Sequence, residues 1–315
     1  MTEKVLIKGT FLDEISHDIP HQNWGKKEWS LDFKHMKSVG IDKVILIRSG
    51  YKNWVTYPSK VLVLEEKVIA PFTDLVALFL RLSEENKMDF YFGLYDSGKY
   101  WTSGAYEKEI SLNCKVIDEV WERYGNCKAF KGWYLSQECN KNIGGIIDLY
   151  AHLGQYCKQV SGGLKVLISP YIDGVKNISQ YTAQSHREQS ITLDEHFKIW
   201  ETIFKGIRES VDIVAFQDGH VDYDQLEDFI RVNKSLADLN QLTSWINSET
   251  FDRDMPIKFL PIKWDKLRFK LETAARVGIS EAITFEFSHF MSPQSAYPQA
   301  GHLYRRYQEY LKEKR

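Results

Sequence analysis

Eight short apolar runs alternate with eight helical stretches along the 315 residues of this chain, and this alternation restricts the fold more than any other feature. Several runs, such as 43–50, are β-branched and almost wholly apolar, which is typical of strands in a parallel sheet covered on both faces. The predicted strands are 5–11, 43–50, 88–95, 130–138, 164–171, 211–218, 242–249 and 281–287. Regular alternation of strand and helix predicts an α/β fold built on a parallel sheet.

The predicted helices fall between these strands at 30–39, 74–86, 110–124, 143–160, 193–210, 223–240, 262–277 and 303–314. Eight such units in about 300 residues predict a single (β/α)8 TIM barrel domain over residues 1–315. The alternative is a doubly wound open sheet, which would be favoured by a glycine-rich dinucleotide turn after the first strand. Lys8-Gly9-Thr10-Phe11 is not such a turn.

Charge and apolar content exclude several classes of partner. The net charge is -2, from 41 basic and 43 acidic residues, so no overall field favours nucleic acid or an anionic membrane. No apolar run approaches the roughly 18 residues needed to span a bilayer. The first residues are too few and too charged for a signal peptide, so we expect a cytoplasmic protein. The four cysteines lack Cys-x-x-Cys spacing, and Cys139 is interpreted as a packing residue.

Acidic residues end nearly every predicted strand, at the edge of the barrel where active sites of this fold lie. They include Asp96, Glu138, Asp218, Glu249 and Glu286. Side chains alternate between the two faces of a strand, so Tyr134 shares a face with Glu138, and Trp245 and Asn247 share a face with Glu249. We expect Glu138, Glu249 and Glu286 to converge in one pocket with Arg48 from the second strand. A buried arginine between carboxylates would keep one of them ionised.

Glu138 and Glu249 occupy positions that resemble those in retaining glycoside hydrolases of the large barrel clan. In that clan an acid/base glutamate ends strand four, a nucleophilic glutamate ends strand seven, and an arginine from strand two touches the nucleophile. Glu138, Glu249 and Arg48 fall on these positions. The segments Trp133–Glu138 and Phe216–Gly219 also resemble an uncharacterised bacterial barrel family grouped near these hydrolases. The clan usually has Asn-Glu at strand four, and here Gln137 would replace that Asn in holding a sugar hydroxyl.

The resemblance implies a glycoside hydrolase that needs no metal or cofactor and acts on a carbohydrate or glycoside. Glu138 would be the acid/base, with a raised pKa, and Glu249 the nucleophile, kept anionic by Arg48. Carboxyls about 5 Å apart would give retention, and a separation of roughly 6.5–9.5 Å inversion. The expected sugar-binding residues are Arg48, Tyr95, Tyr134, Asp218, Trp245, Asn247 and Glu286. Asp218 could instead share the acid/base work, and the loops 13–24 and 173–190 are expected to shape the subsites.

Two other function classes remain open. Glu138, Asp218, Glu249, Glu286 and His289 could form an oxygen-rich site for a divalent metal, as in barrel isomerases. A non-catalytic carbohydrate-binding barrel would keep the aromatic residues but lack turnover. Aromatic residues make up 14% of the chain, which suits both a packed core and the stacking of sugar rings.

Overall fold

The computed structural model describes residues 4–16, 19, 21–141, 144–174, 190–253 and 259–313. Within them, eight parallel strands close into a barrel, because the first strand pairs with both the second and the last. The strands are β1 (Ile7–Leu12), β2 (Lys43–Leu46), β3 (Asp89–Gly93), β4 (Phe130–Leu135), β5 (Lys165–Ile168), β6 (Ile213–Gln217), β7 (Thr243–Asn247) and β8 (Ala282–Thr284). The predicted α/β barrel is confirmed, and the open-sheet alternative is wrong.

Ten helices occur in the described part of the chain, and eight of them lie where helices are predicted. They are α1 (Lys26–Ser38), α2 (Lys60–Glu66), α3 (Leu75–Asn86), α4 (Tyr106–Tyr124), α5 (Ile146–Ser161), α6 (Leu193–Ile207), α7 (Leu226–Leu239), α8 (Trp264–Val277), α9 (Phe287–Phe290) and α10 (Pro298–Lys312). The two short helices α2 and α9 were not predicted. Helix α10 begins earlier than expected, with Pro298 in its first turn, where the missing N–H of proline costs nothing.

Helix α2 depends on one distant carboxylate, which explains why the sequence does not reveal it. The Ser59 side chain caps the helix by accepting a hydrogen bond from the Leu62 N–H. The Glu119 carboxylate of α4 accepts hydrogen bonds from the Ser59 hydroxyl at 2.6 Å and from the Lys60 N–H at 2.6 Å. The N-terminal N–H groups of α2 are therefore satisfied partly by its own cap, Ser59, and partly by Glu119 of another helix.

Seven of the eight barrel strands, all but β1, end earlier than predicted, and two small ladders lie beyond the barrel strands. Gly50–Tyr51 pairs with Trp54–Val55 and with Tyr95–Asp96, while Phe251–Asp252 pairs with Leu260–Pro261. The residues between a barrel strand and such a ladder are free to turn toward the barrel mouth. Arg48 and Glu249 are both in this position.

Apolar side chains form two separate cores. The larger one packs between the strands and the surrounding helices. The smaller one fills the barrel lumen and contains Phe11, Ile45, Ile47, Tyr91, Tyr134, Leu167, Ile213, Ala215, Trp245 and Ile283. The lumen is thus a packed interior rather than a pore, and any ligand must bind above it. In the described part of the chain no helix is long and apolar enough to cross a membrane.

Candidate active site

A cavity of about 150 Å³ lies at the C-terminal mouth of the barrel, above the lumen core. Its walls come from the segments that follow β1, β2, β4 and β7 and from the ends of β6, β7 and β8. They consist of Ser16, Ile19, Ile47, Arg48, Glu138, Gln217, Asn247, Glu249, Phe251, Arg253, Phe259 and Phe285. Arg48, Glu138 and Glu249 therefore surround one cavity, although 201 positions separate Arg48 from Glu249 along the chain.

Glu138 lies just beyond β4, and its side chain is 21% exposed. The Tyr134 hydroxyl donates a hydrogen bond of 2.6 Å to its Oε1, and Arg48 Nη2 lies 3.5 Å from its Oε2. Burial raises the pKa of Glu138 above its usual range. The charge of Arg48 and the hydrogen bonds from Tyr134 and Gln217 oppose this effect without cancelling it.

Glu249 lies two residues beyond β7 and is almost fully buried, at 1% exposure. Arg253 donates to both of its carboxylate oxygens, with 2.7 Å from Nε to Oε2 and 2.6 Å from Nη2 to Oε1. Burial alone would raise the pKa of Glu249, but the charge and hydrogen bonds of Arg253 outweigh it, and the pKa is lowered. The pKa values of the two glutamates of the cavity are thus shifted in opposite directions, that of Glu138 upward and that of Glu249 downward.

Gly219 makes room for this ion pair. A Cβ atom at this position would lie 1.8 Å from Glu249 Oε2 and 2.4 Å from Arg253 Nε. Any other residue would therefore displace the carboxylate, the guanidinium or the loop that carries them. The segment Phe216–Gly219, noted in the sequence, supplies this clearance.

The expected contact between Arg48 and Glu249 is wrong. Arg48 Nε lies 3.4 Å from Asp96 Oδ2, and among the described residues its other ion pair is with Glu138. Its guanidinium also lies 5.4 Å from the ring centre of Tyr51. Because β2 ends at Leu46, the chain turns after it and directs Arg48 toward the β3 and β4 side of the mouth.

Asn247 and Gln217 are the neutral hydrogen-bonding residues of the cavity. Asn247 Nδ2 donates to Ser169 Oγ at 3.0 Å, and Asn247 Oδ1 is buried and accepts no hydrogen bond from the residues that the structure describes. Gln217 Nε2 donates to the Ser169 carbonyl at 2.8 Å. The unpaired Oδ1 of Asn247 is an acceptor for a hydroxyl group in the cavity.

Two aromatic residues predicted for the sugar subsite lie elsewhere. Tyr95 packs in the outer core, where its hydroxyl donates to the Lys52 carbonyl at 2.6 Å. Trp245 faces the lumen as expected, but near its floor, with Lys43 Nζ 5.3 Å from the ring centre. Lys43 begins β2 at the N-terminal end of the barrel, so Trp245 lies a full layer or more below the mouth. Only Tyr134 of the predicted aromatic residues touches the site, through Glu138.

Three predicted polar residues have structural partners instead of facing the cavity. Asp218 is buried and forms an ion pair with Lys270. Glu286 caps α9 by accepting hydrogen bonds from the backbone N–H groups of Ser288 and His289. Gln137 points away from the lumen and donates to the Tyr95 carbonyl at 2.9 Å, so it does not take the role of the clan's strand-four Asn.

Sequence reasoning missed Arg253, Gln217, Ser16 and the phenylalanines of the cavity wall, Phe251, Phe259 and Phe285. A signal for Gln217 exists, because strict alternation along β6 places it on the same face as Ile213 and Ala215, which lie in the lumen. Arg253 has no such signal, because it belongs to a loop. Of the two predicted subsite loops, residues 17, 18, 20 and 175–189 lie outside the described part of the chain.

A metal site is not assembled from the residues proposed for one. Within the described ranges, no three His, Cys, Asp or Glu side chains form a group that could hold a metal ion. The imidazole Nδ1 of His289 lies 2.7 Å from Glu286 Oε1, and Glu249 is paired with Arg253. These carboxylates already have partners within the protein, and they do not face a common point.

Comparison with known proteins identifies a family. Residues 7–297 match a family described as a domain of unknown function, DUF4434. A crystal structure from Bacteroides thetaiotaomicron, provisionally described as an alpha-L-fucosidase, is 57% identical, with a TM-score of 0.93 over 99% of this chain and 94% of that one. A search of curated proteins finds no match.

More distant structures share the barrel. An endo-1,4-beta-mannanase from Rhizomucor miehei is 11% identical, with a TM-score of 0.53 over 90% of this chain and 86% of that one. The endo-1,4-beta-D-mannanase of Thermotoga petrophila is 10% identical, with a TM-score of 0.56 over 98% of this chain and 100% of that one. At these identities the likeness is one of fold. The predicted relation to an uncharacterised barrel family near the glycoside hydrolases is confirmed: this chain belongs to the DUF4434 family, and its barrel is glycoside hydrolase-like.

Proposed function

We propose that this protein is a retaining glycoside hydrolase in which Glu138 is the acid/base and Glu249 the nucleophile. One observation carries the proposal: two carboxyl groups line the same cavity, and their pKa values are shifted apart. Burial keeps Glu138 protonated to higher pH, while Arg253 keeps Glu249 ionised to lower pH. Such a divergence distinguishes the acid from the nucleophile in enzymes that use two carboxylates.

The first chemical step follows from these charge states. Glu138 donates its proton to the glycosidic oxygen as the bond to the leaving group breaks, and Glu249 attacks the anomeric carbon to form a glycosyl ester. Glu138, now ionised, next removes a proton from a water molecule, which attacks the same carbon and releases Glu249. Tyr134 orients Glu138 throughout, because its hydroxyl bonds to one carboxyl oxygen only.

The cavity suits a single sugar ring at the end of a glycan. Its volume of about 150 Å³ is below the roughly 300–1,000 Å³ of common ligand pockets. Arg48, Gln217 and Asn247 offer hydrogen bonds to hydroxyl groups, and the partly exposed ring of Phe285 offers a face to sugar C–H groups. Because the 57% identical structure is described provisionally as an alpha-L-fucosidase, aryl alpha-L-fucosides belong first in a substrate panel.

Turnover of aryl glycosides by the wild type, Glu138→Gln and Glu249→Gln tests the proposal. We expect Glu249→Gln to lower kcat by about 10⁴-fold or more. Glu138→Gln should lower kcat by about 10²–10⁴-fold on substrates with poor leaving groups, and much less on activated aryl glycosides. Glu209→Gln is the matched control, because this glutamate is 82% exposed and far from the cavity in the fold.

The stereochemical course tests the mechanism separately from the activity. Proton NMR of the first-formed product should report the anomer with the substrate's configuration, and a 2-deoxy-2-fluoro glycoside should label Glu249. An inverted first product, or a label on another residue, would contradict the assignment of Glu249 as nucleophile.

A carbohydrate-binding barrel without turnover is the second candidate, and one observation favours it. Both carboxylate oxygens of Glu249 are bonded to Arg253, and the side chain is 1% exposed, so neither oxygen can attack unless Arg253 moves. Calorimetric titration with monosaccharides separates the two functions. Binding that persists in both glutamine variants, with no hydrolysis by the wild type, would identify a binding protein.

A further inference from the structure

Lys270 is a buried lysine on the inner face of α8, with 3% of its surface exposed. Lysines are rarely buried to this extent unless they are paired, because removing the ammonium group from water is costly. Its amine reaches the region just beyond the end of β7. There Lys270 Nζ lies 2.7 Å from Asp218 Oδ1, and the Asp218 carboxylate is itself buried.

This ion pair contacts the backbone of Glu249 on both sides. Asp218 Oδ1 accepts a hydrogen bond from the Glu249 N–H at 3.1 Å, and Lys270 Nζ donates to the Glu249 carbonyl at 3.3 Å. A single side-chain pair thus satisfies the amide and the carbonyl of the residue that carries the candidate nucleophile. The Glu249 side chain has a different partner, Arg253.

The neighbouring residues show why such a contact is needed. The N–H groups of Ser248 and Thr250 still donate to carbonyls of the β8 segment, at 2.9 Å to Ile283 and 3.0 Å to Phe285. Glu249, between them, faces away from that segment. Glu249 is buried, and among the residues that the structure describes its backbone groups bond only to Asp218 and Lys270. Unpaired buried groups destabilise a backbone conformation.

We propose that Lys270 and Asp218 are positioning residues for Glu249, a role that depends on the proposed glycosidase function. They hold the peptide groups on both sides of Glu249, and thereby fix the direction in which its carboxylate enters the cavity. A buried ion pair gives little net stability compared with apolar residues of the same volume, so stability alone does not account for it. The charge of Lys270 also lowers the pKa of Glu249, an effect that acts beside the positioning.

The test is the variant Lys270→Met, which keeps an unbranched side chain of similar length and removes the ammonium group. We expect kcat on an aryl glycoside to fall about 10–100-fold, because small displacements of a reacting group are costly, while KM changes less than about threefold. Lys43→Met is the matched control. Lys43 is 11% exposed and pairs with Asp42 and Glu281 at the other end of the barrel, so its loss should lower the melting temperature but not kcat.

The double variant Lys270→Met/Asp218→Asn separates positioning from stability. Removing both charges should restore much of the melting temperature lost in Lys270→Met, whereas kcat should stay low, because the Glu249 carbonyl still lacks its donor. If kcat recovers together with the melting temperature, the pair is merely structural. A Lys270→Met enzyme with kcat within twofold of wild type, corrected for the folded fraction, would also overturn the inference.

A failure of the proposed function gives a different pattern. If the wild type hydrolyses no glycoside, that function fails, and crystal structures of wild type and Lys270→Met decide the positioning role. We expect the Glu249 backbone and carboxylate to shift in the variant. A Glu249 that keeps its wild-type position without Lys270 overturns the inference whatever the activity.

Discussion

Replacing Arg253 with methionine should destabilise the protein and inactivate Glu249 at low pH. Arg253 supplies both hydrogen bonds to the Glu249 carboxylate, which is 1% exposed and would remain as a buried, unpaired charge. Breaking such a pair from one side costs about 3–5 kcal/mol. Because the Arg253 side chain is 27% exposed, water replaces part of its contribution, and we expect a loss in unfolding free energy near the lower end, about 3 kcal/mol.

The same change should move the acidic limb of the pH–rate profile. In the wild type, the charge of Arg253 outweighs burial and lowers the pKa of Glu249. Without Arg253, burial dominates and raises the pKa of Glu249. As the pH is lowered, the carboxylate then becomes protonated, and unreactive, at a higher pH than in the wild type. We expect kcat/KM at neutral pH to fall by about 10²-fold, the usual effect of removing one preorganised electrostatic contact, and the loss to diminish as pH rises.

Urea unfolding and kcat/KM between pH 4 and 9 measure both effects. Arg276→Met is a control, because Arg276 pairs with Glu227 on the surface and its loss should cost less than about 1 kcal/mol. Arg253→Lys keeps the charge but not the two-pronged contact, so its effects should be intermediate. An Arg253→Met enzyme with an unmoved acidic limb and an unfolding free energy within about 1 kcal/mol of wild type would refute the argument.

Three further outcomes are expected. Gly219→Ala should lower kcat by about 10²-fold in initial-rate assays, because its Cβ would lie 1.8 Å from Glu249 Oε2 and displace the carboxylate. Burial raises the pKa of Asp32 to about 7. The wild-type free energy of unfolding in urea should therefore fall by up to about 1.4 kcal/mol per pH unit as the pH rises from about 4 to 7, and Asp32→Asn should remove this contribution to the slope. Arg48→Met should raise the pKa of Glu138 further and move the alkaline limb of kcat/KM to higher pH, because Arg48 opposes the effect of burial there.

The Gly219 and Asp32 experiments each need a comparison. Gly25→Ala should be harmless, because the nearest atom to its Cβ would be 3.4 Å away. Burial also raises the pKa of Glu14 to about 7, so the Asp32 effect is the difference between wild type and variant rather than the wild-type slope. Each prediction fails on one result. For Gly219→Ala it is an unchanged kcat, and for Asp32→Asn it is a dependence of the unfolding free energy on pH equal to that of the wild type. For Arg48→Met it is an unmoved alkaline limb of kcat/KM.

The barrel could be predicted from the sequence because its strands are buried on both faces. Continuous apolar runs such as 43–50 mark such strands without reference to any partner, and their alternation with amphipathic stretches leaves few topologies. The helix α2 could not be predicted in the same way. Its N-terminus is satisfied by Glu119, which lies far along the chain, and no local pattern encodes that contact.

The site was predicted in part, for reasons visible in individual residues. The ends of β4 and β7 led to Glu138 and Glu249, and alternation led to Asn247. Alternation fixes the face of a strand residue but not its depth, so Trp245 was assigned to the mouth although it lies near the floor. Tyr95 was misplaced because β3 ends at Gly93, after which the chain joins a separate ladder with Gly50.

The cation that keeps Glu249 ionised comes from its own loop, four residues further along, and not from a neighbouring strand. The candidate nucleophile and its counter-ion therefore lie on one segment of chain, next to the short ladder between Phe251–Asp252 and Leu260–Pro261. A relative that exchanges this loop would alter the cavity wall and the acidity of Glu249 in a single step. Transfer of the whole loop to a relative should therefore transfer the cavity wall and the lowered pKa of Glu249 together. A chimera whose junction lies between Glu249 and Arg253 should instead have a glutamate without its counter-ion, and the pKa of that glutamate should be raised by burial.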